Sequence, residues 1–175
     1  MFRSRTSTLI GAALLASLST ACVSTGAATP TAFPNAPAMS RADRREPSVA
    51  DSVLGSGLIA TAMQFRGIPY RLGGDEPGRG FDCSGFVHYV FQQHQVPVPR
   101  TVAEQFDAGA KISMARVEPG DLIFFATSGS GASHVGIALN NDEFIHAPGT
   151  GGVVRIDRVD APYWKARTLG ARRVY

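Results

Sequence analysis

The 175 residues suffice for one domain, and a chain that is 44% hydrophobic and 18% charged is not wholly disordered. The formal net charge is +3, but Arg3 and Arg5 stand at the extreme N-terminus; without those two, 15 of the 17 basic residues face 14 acidic ones. No Lys/Arg-rich run interleaves with aromatics, so nucleic acid is not an expected partner.

Residues 1–21 read as an export signal. Arg3 and Arg5 precede an apolar run from Leu9 to Leu18 that gives way to Ser19, Thr20, Ala21 and Cys22. That run is about half of the roughly 20 residues a membrane-spanning helix needs, so it fits a signal h-region. The small residues before Cys22 resemble the lipobox of bacterial lipoproteins, although Ser19 stands where leucine is usual. Cys22 is therefore expected to carry lipid and anchor the protein to the periplasmic face of a bacterial membrane, the outer one, with plain secretion as the alternative. Cysteine usage agrees, since Cys22 and Cys83 are the only two. With Cys22 acylated, Cys83 is a lone thiol in an oxidising compartment, and a disulfide to Cys22 would tie the folded domain to the export segment. A catalytic Cys83 is the better reading.

Residues 22–50 are rich in Ala, Pro, Ser and Thr and show no apolar periodicity. They read as a flexible tether with a root-mean-square span of roughly 30 Å. The domain is expected over 51–175. Apolar residues from Val53 to Met63 recur at helical spacing, which predicts a first helix over 51–65. A glycine-dense loop, 73–80, leads into Phe81-Asp82-Cys83-Ser84 and a second helix with Phe86, Val87, Val90 and Phe91 on one face. A short third helix is expected over 101–108. The period then changes, and 122–125, 134–139, 143–146, 153–156 and 169–174 read as strands between turn-rich spacers. Helices followed by strands imply an α+β fold, an antiparallel sheet with the N-terminal helices packed on one side.

A cysteine nucleophile needs a lowered pKa, a base and donors for an oxyanion. Cys83 sits where the loop turns into a helix, and free N–H groups at a helix N-terminus favour thiolate over thiol. The N–H of Cys83 or Ser84 could also hold the oxyanion. Asp82 and Ser84 are candidates for substrate binding and, equally, good helix-start residues. For the base there are four histidines. His88 lies about 140° round the helix from Cys83, so its ring would point away, and His94 reads as a surface or core-edge residue. His134 opens one predicted strand and His146 ends the next. If those strands pair antiparallel, the two rings share one edge of the sheet, and His146 could orient His134 as the base for Cys83. Phosphate-binding glycine motifs are absent, as are HExxH and close CxxC or HxxxH pairs, so neither a metal nor any cofactor is expected.

Pro69-Tyr70-Arg71-Leu72-Gly73-Gly74, Phe81-Asp82-Cys83-Ser84-Gly85-Phe86-Val87 and Pro119-Gly120-Asp121-Leu122-Ile123-Phe124-Phe125, with Ser133-His134-Val135-Gly136-Ile137 and Phe144-Ile145-His146-Ala147, resemble in that order the NlpC-like family of cell-wall cysteine peptidases. The resemblance implies a papain-like core and hydrolysis of peptide bonds in peptidoglycan stems or crosslinks. By position it makes Cys83 the nucleophile, His134 the base and His146 the orienting third residue, with Tyr70 near the nucleophile to bind substrate or oxyanion. Asp121 reads as a turn residue that sets up a strand. The expected partners are peptidoglycan peptides and, through the lipid, a membrane, with the protein a monomer. An acyltransferase or amidase on the same core, or a non-catalytic wall-binding lipoprotein, are the alternatives.

Overall fold

The computed structural model describes residues 48–175. The export signal, Cys22 and nearly all of the tether lie outside the described residues. Helix α1 spans Val49–Met63 and starts two residues earlier than the periodicity suggested, because Ser48 and Asp51 form a capping box. The Ser48 hydroxyl accepts the Asp51 N–H at 3.1 Å, and the Asp51 carboxylate accepts the Ser48 N–H at 3.0 Å. Helix α2 covers Cys83–Gln92, and α3 covers Val102–Asp107 behind a second capping box from Thr101 and Glu104. Inside the glycine loop a small ribbon forms from β1, Asp75–Glu76, and β2, Gly80–Phe81.

A six-stranded sheet follows, with every neighbouring pair antiparallel. Its members are β3 (Ala110–Ile112), β4 (Leu122–Phe125), β5 (His134–Ala138), β6 (Glu143–His146), β7 (Arg155–Arg158) and β8 (Thr168–Arg173), in the order β3-β8-β4-β5-β6-β7. The α+β architecture, N-terminal helices on an antiparallel sheet, is the one expected. Two details differ. The fourth predicted strand lies at 155–158 rather than 153–156, because Val153 and Val154 are taken up in backbone bonds to the loop at Ile68 and Pro69. A short helix α4, Pro162–Lys165, also covers the face of the sheet away from α1 and α2.

All four residues of β4 are buried, which follows from this two-sided cover. Leu122 and Phe124 join Leu58, Phe86, Val90 and Phe91 in the core under α1 and α2, while Ile123 and Phe125 meet Trp164 of α4. Burying each such side chain stabilises the fold by about 1.5–3 kcal/mol. Asp121, wholly buried, accepts from Arg173 Nε at 2.7 Å and from the Glu118 N–H at 2.8 Å, so the turn residue also fastens β8. His88 Nδ1 lies 2.7 Å from the Val98 carbonyl, and His94 Nε2 lies 2.8 Å from the Thr61 hydroxyl. His88 on α2 and His94 just past its end thus each have a partner of their own.

Candidate active site

The first half of the site grows out of the glycine loop. Phe81 N–H donates to Pro69 O and Arg71 N–H to Phe81 O, folding the Tyr70 segment onto the residues just before Cys83. Gly80 makes this possible: its φ is +96°, and a Cβ there would stand 2.6 Å from Pro69 O. Asp82 then caps α2 in extended conformation, accepting the Gly85 N–H at 2.7 Å and the Gly73 N–H at 2.9 Å. A residue that sequence reading missed completes the frame. Arg100 donates to both carboxylate oxygens of Asp82, at 3.0 and 2.9 Å, to the Ser84 hydroxyl at 3.1 Å and to Gly74 O at 3.2 Å. Asp82 and Ser84, 8% and 5% exposed, are therefore committed to holding the helix start. No local signal links Arg100 to them, because it arrives from beyond the end of α2.

Cys83 is half-buried and in no disulfide. The backbone N–H groups of Ser84, Val135 and Cys83 itself pull its pKa down, as anticipated at a helix N-terminus. Burial, followed by the charge of Asp82, outweighs them and raises the thiol pKa. Here burial and the Asp82 charge thus work against the lowered pKa expected from the helix start. Tyr70 belongs to the same space, its hydroxyl pushed up by burial, then by Cys83 in its thiolate form and by the charge of Asp82.

The second half comes from the sheet. The β5–β6 ladder pairs Ile137 with Ile145 and Ala138 with Phe144, so the start of β5 lies past its end. There Val135, next in sequence to His134, presents a backbone N–H that helps lower the Cys83 pKa. His134 Nε2 lies 2.7 Å from His146 Nδ1, as the antiparallel reading required. Both rings are buried, 3% and 0% exposed, and share a face with Phe125, Phe144 and Trp164. Burial, then the neighbouring His146, lowers the His134 pKa to about 3, against a smaller upward pull from Asp157. His146 is lowered as well, by burial, partly offset by Asp157.

Two more residues complete this half, and neither was foreseen. Asp157 Oδ2 lies 3.0 Å from His146 Nε2 and accepts the Trp164 indole N–H at 3.0 Å and Arg155 Nη2 at 2.9 Å. Trp164 stacks on His134 with ring centroids 5.3 Å apart and planes 25° from parallel. Had the strand been extended past Ile156, the register would have set Asp157 opposite Phe144, two residues before His146. Asp157 and Trp164 also line a groove of about 600 Å³ with Arg155, Arg158 and Tyr163. Among the described residues, no group of three or more His, Cys, Asp or Glu side chains could hold a metal ion. No described helix is long and apolar enough to cross a membrane.

A cysteine at a helix start, with a buried histidine pair on two neighbouring strands of an antiparallel sheet, defines a papain-like α+β domain. Residues 67–173 match the NlpC/P60 family model, and the chain belongs to that family. Murein DD-endopeptidase MepH of Escherichia coli K12 is 42% identical over 116 residues, which cover 64% of this chain and 43% of MepH. Murein DD-endopeptidase MepS/Murein LD-carboxypeptidase of the same strain is 40% identical over 120 residues, 68% of this chain and 62% of MepS. This chain thus spans less than two thirds of either relative. The solved NlpC/P60 domain of the peptidoglycan hydrolase SagA superposes with TM-score 0.60 at 37% identity, over 68% of this chain and 97% of that one. An NlpC/P60 family protein from Bacillus cereus ATCC 10987 gives TM-score 0.65 at 33% identity, over 69% and 40%.

Proposed function

We propose that this protein is an exported cysteine endopeptidase that hydrolyses peptide bonds in peptidoglycan, with Cys83 as nucleophile, His134 as base and His146 orienting His134. One observation carries the reading: an unpaired cysteine opens α2, and a buried histidine on β5 is hydrogen-bonded at 2.7 Å to a second histidine. The family and the two murein endopeptidases supply the substrate class. His134 takes the proton of Cys83 as sulfur attacks the peptide carbonyl, and the N–H groups of Cys83 or Ser84 receive the oxyanion. His134 returns the proton to the departing amine. Water, deprotonated by His134, then cleaves the thioester and frees the thiol. No step calls for a cofactor. Tyr70, beside the thiol, contributes to substrate or oxyanion binding, and Asp82 and Ser84 set the walls of the same cleft.

The names of the two endopeptidases point first to the D,D-crosslink between neighbouring stems. Lipid on Cys22 would hold a monomeric enzyme at the periplasmic face of the outer membrane, within reach of the wall. Mass spectrometry of purified peptidoglycan digested by the reduced protein, beside its Cys83→Ala variant, tests the reading. New fragments absent from the variant digest are expected, and their masses identify the bond. A folded, reduced protein that releases none from intact wall or from soluble stem peptides would sink it, and acyl transfer would become the reading to pursue. Intact-mass measurement of membrane-extracted protein tests the anchor: a diacylglyceryl mass on Cys22 supports it, and a bare N-terminus rejects it.

A further inference from the structure

The sheet half of the site holds a chain of three polar groups, and the proton inventory of its members fixes its direction. A carboxylate only accepts, while a neutral imidazole donates from one nitrogen and accepts at the other. Asp157 Oδ2 faces His146 Nε2 at 3.0 Å, so His146 carries its proton on Nε2 and presents a lone pair at Nδ1. His134 Nε2, 2.7 Å from that lone pair, must then be the protonated nitrogen of its ring. The lone pair of His134 is left on Nδ1, the nitrogen outside this chain of bonds.

We propose that Asp157 is a positioning residue that sets the direction of this chain, and through His146 fixes His134 in the one tautomer able to act as a base. The inference rests on the function proposed above and adds to it a residue that works two side chains away from the thiol. Without Asp157, a neutral His146 could equally carry its proton on Nδ1 and donate it to His134 Nε2. His134 would then hold its own proton on Nδ1 and have no lone pair for Cys83.

The surroundings of Asp157 fit that task. Trp164 Nε1 and Arg155 Nη2 both donate to the same Oδ2 that meets His146, and Arg155 Nε reaches Oδ1 at 3.1 Å. Those donors admit only an acceptor at Oδ2, so the carboxyl cannot turn a proton toward His146. Burial pulls the Asp157 pKa upward, but the hydrogen bonds from His146 and Arg155 outweigh it and keep the group ionised. Trp164 also lies flat against His134 and holds the plane of its ring. When His134 accepts the Cys83 proton at Nδ1, the Nε2–H already points at His146. No proton further along the chain has to move, and the negative charge of Asp157 lies at the far end to offset the new imidazolium.

Nitrogen-15 NMR of histidine-labelled protein near neutral pH reads the tautomers directly, and single replacement of the four histidines assigns the signals. Expected for the reduced wild type is a bare Nδ1 and protonated Nε2 on His134, with Nε2 protonated on His146. A His134 ring protonated at Nδ1 with a bare Nε2 overturns the proposal. In Asp157→Ala the tautomers should mix, and kcat should fall by about 100-fold with KM changed less than about twofold. An unchanged tautomer together with wild-type kcat overturns it. Asp157→Asn keeps an acceptor for Trp164 and Arg155 but loses the charge, so its kcat should fall about tenfold. If Asp157→Ala does not fold, wild-type kcat in Asp157→Asn overturns the proposal alone. The NMR needs no turnover, so a wild type that cleaves no peptidoglycan would sink the proposed function while the tautomers still decide this inference.

Discussion

The two halves of the site are built in opposite ways. Asp82, Cys83, Ser84 and Gly85 are consecutive, and a capping carboxylate and one arginine hold them to the loop before them. His134, His146 and Asp157 lie on three successive strands, and only the pairing of β5, β6 and β7 brings them into line. The helix half is thus local chemistry, which tolerates change elsewhere but not a shift of its own backbone. The sheet half depends on register: a slip of one residue turns a side chain to the other face and breaks the chain of hydrogen bonds outright.

A large effect should come from removing the first histidine of the sheet half. His134→Gln keeps much of the ring's volume but has no titratable base, and kcat for fragment release should fall by about 10²–10⁴ with the fold intact. A variant that kept even a third of wild-type activity would show that the sheet half takes no part in the chemistry. Next come two glycines, one in each half. A Cβ on Gly85 would stand 2.1 Å from Gly74 O, and one on Gly136 would stand 2.5 Å from the buried Phe144 ring. Each alanine substitution should cost about 3 kcal/mol by denaturant unfolding. Gly85→Ala should alter the alkylation rate of Cys83 and leave the histidine tautomers alone, whereas Gly136→Ala should do the reverse. If each variant disturbed both readouts, the halves would not be separable units.

The same division explains what could be read from the chain. Cys83, Asp82 and the start of α2 were legible because capping residues, glycines and the nucleophile are adjacent. His134 and His146 were legible because each marks one end of a predicted strand, so pairing alone sets them together. Asp157 and Trp164 were not, since the strand was ended at Ile156 and the four-residue α4 carries no periodicity to find. Arg100 was missed for a related reason: its partner Asp82 lies 18 positions earlier, across the whole of α2. The thiol pKa was misjudged because dipole and N–H groups can be read from a helix start, while burial and the opposing charge of Asp82 need the folded cleft.

Arg100 gives a smaller test of the helix half. In Arg100→Gln the Asp82 carboxylate, nearly buried, loses its charged donors but keeps the Gly85 and Gly73 N–H groups. A loss of about 2 kcal/mol is expected from the shift in urea midpoint. No shift would mean that backbone capping alone holds the cysteine in place.

The gentlest probe is pH, and it addresses the sheet half alone. The folded His134 pKa, lowered to about 3 by burial and His146, lies below the 6.5 of an unperturbed histidine. Between those values the unfolded chain binds the extra proton, so stability rises with pH there and is lost as pH falls from 6.5 toward 3. For one such histidine the loss between pH 7 and pH 5.5 should be about 1 kcal/mol. His146, lowered in the same direction, adds to it. Urea unfolding of wild type and His134→Gln at both pH values isolates the contribution, because the variant lacks the group and should lose correspondingly less. Activity should behave differently from stability: a base that stays neutral well below pH 6 keeps kcat/KM from falling across the ordinary histidine range. An acid limb near pH 6.5 would instead show that His134 is more open to water than its burial implies.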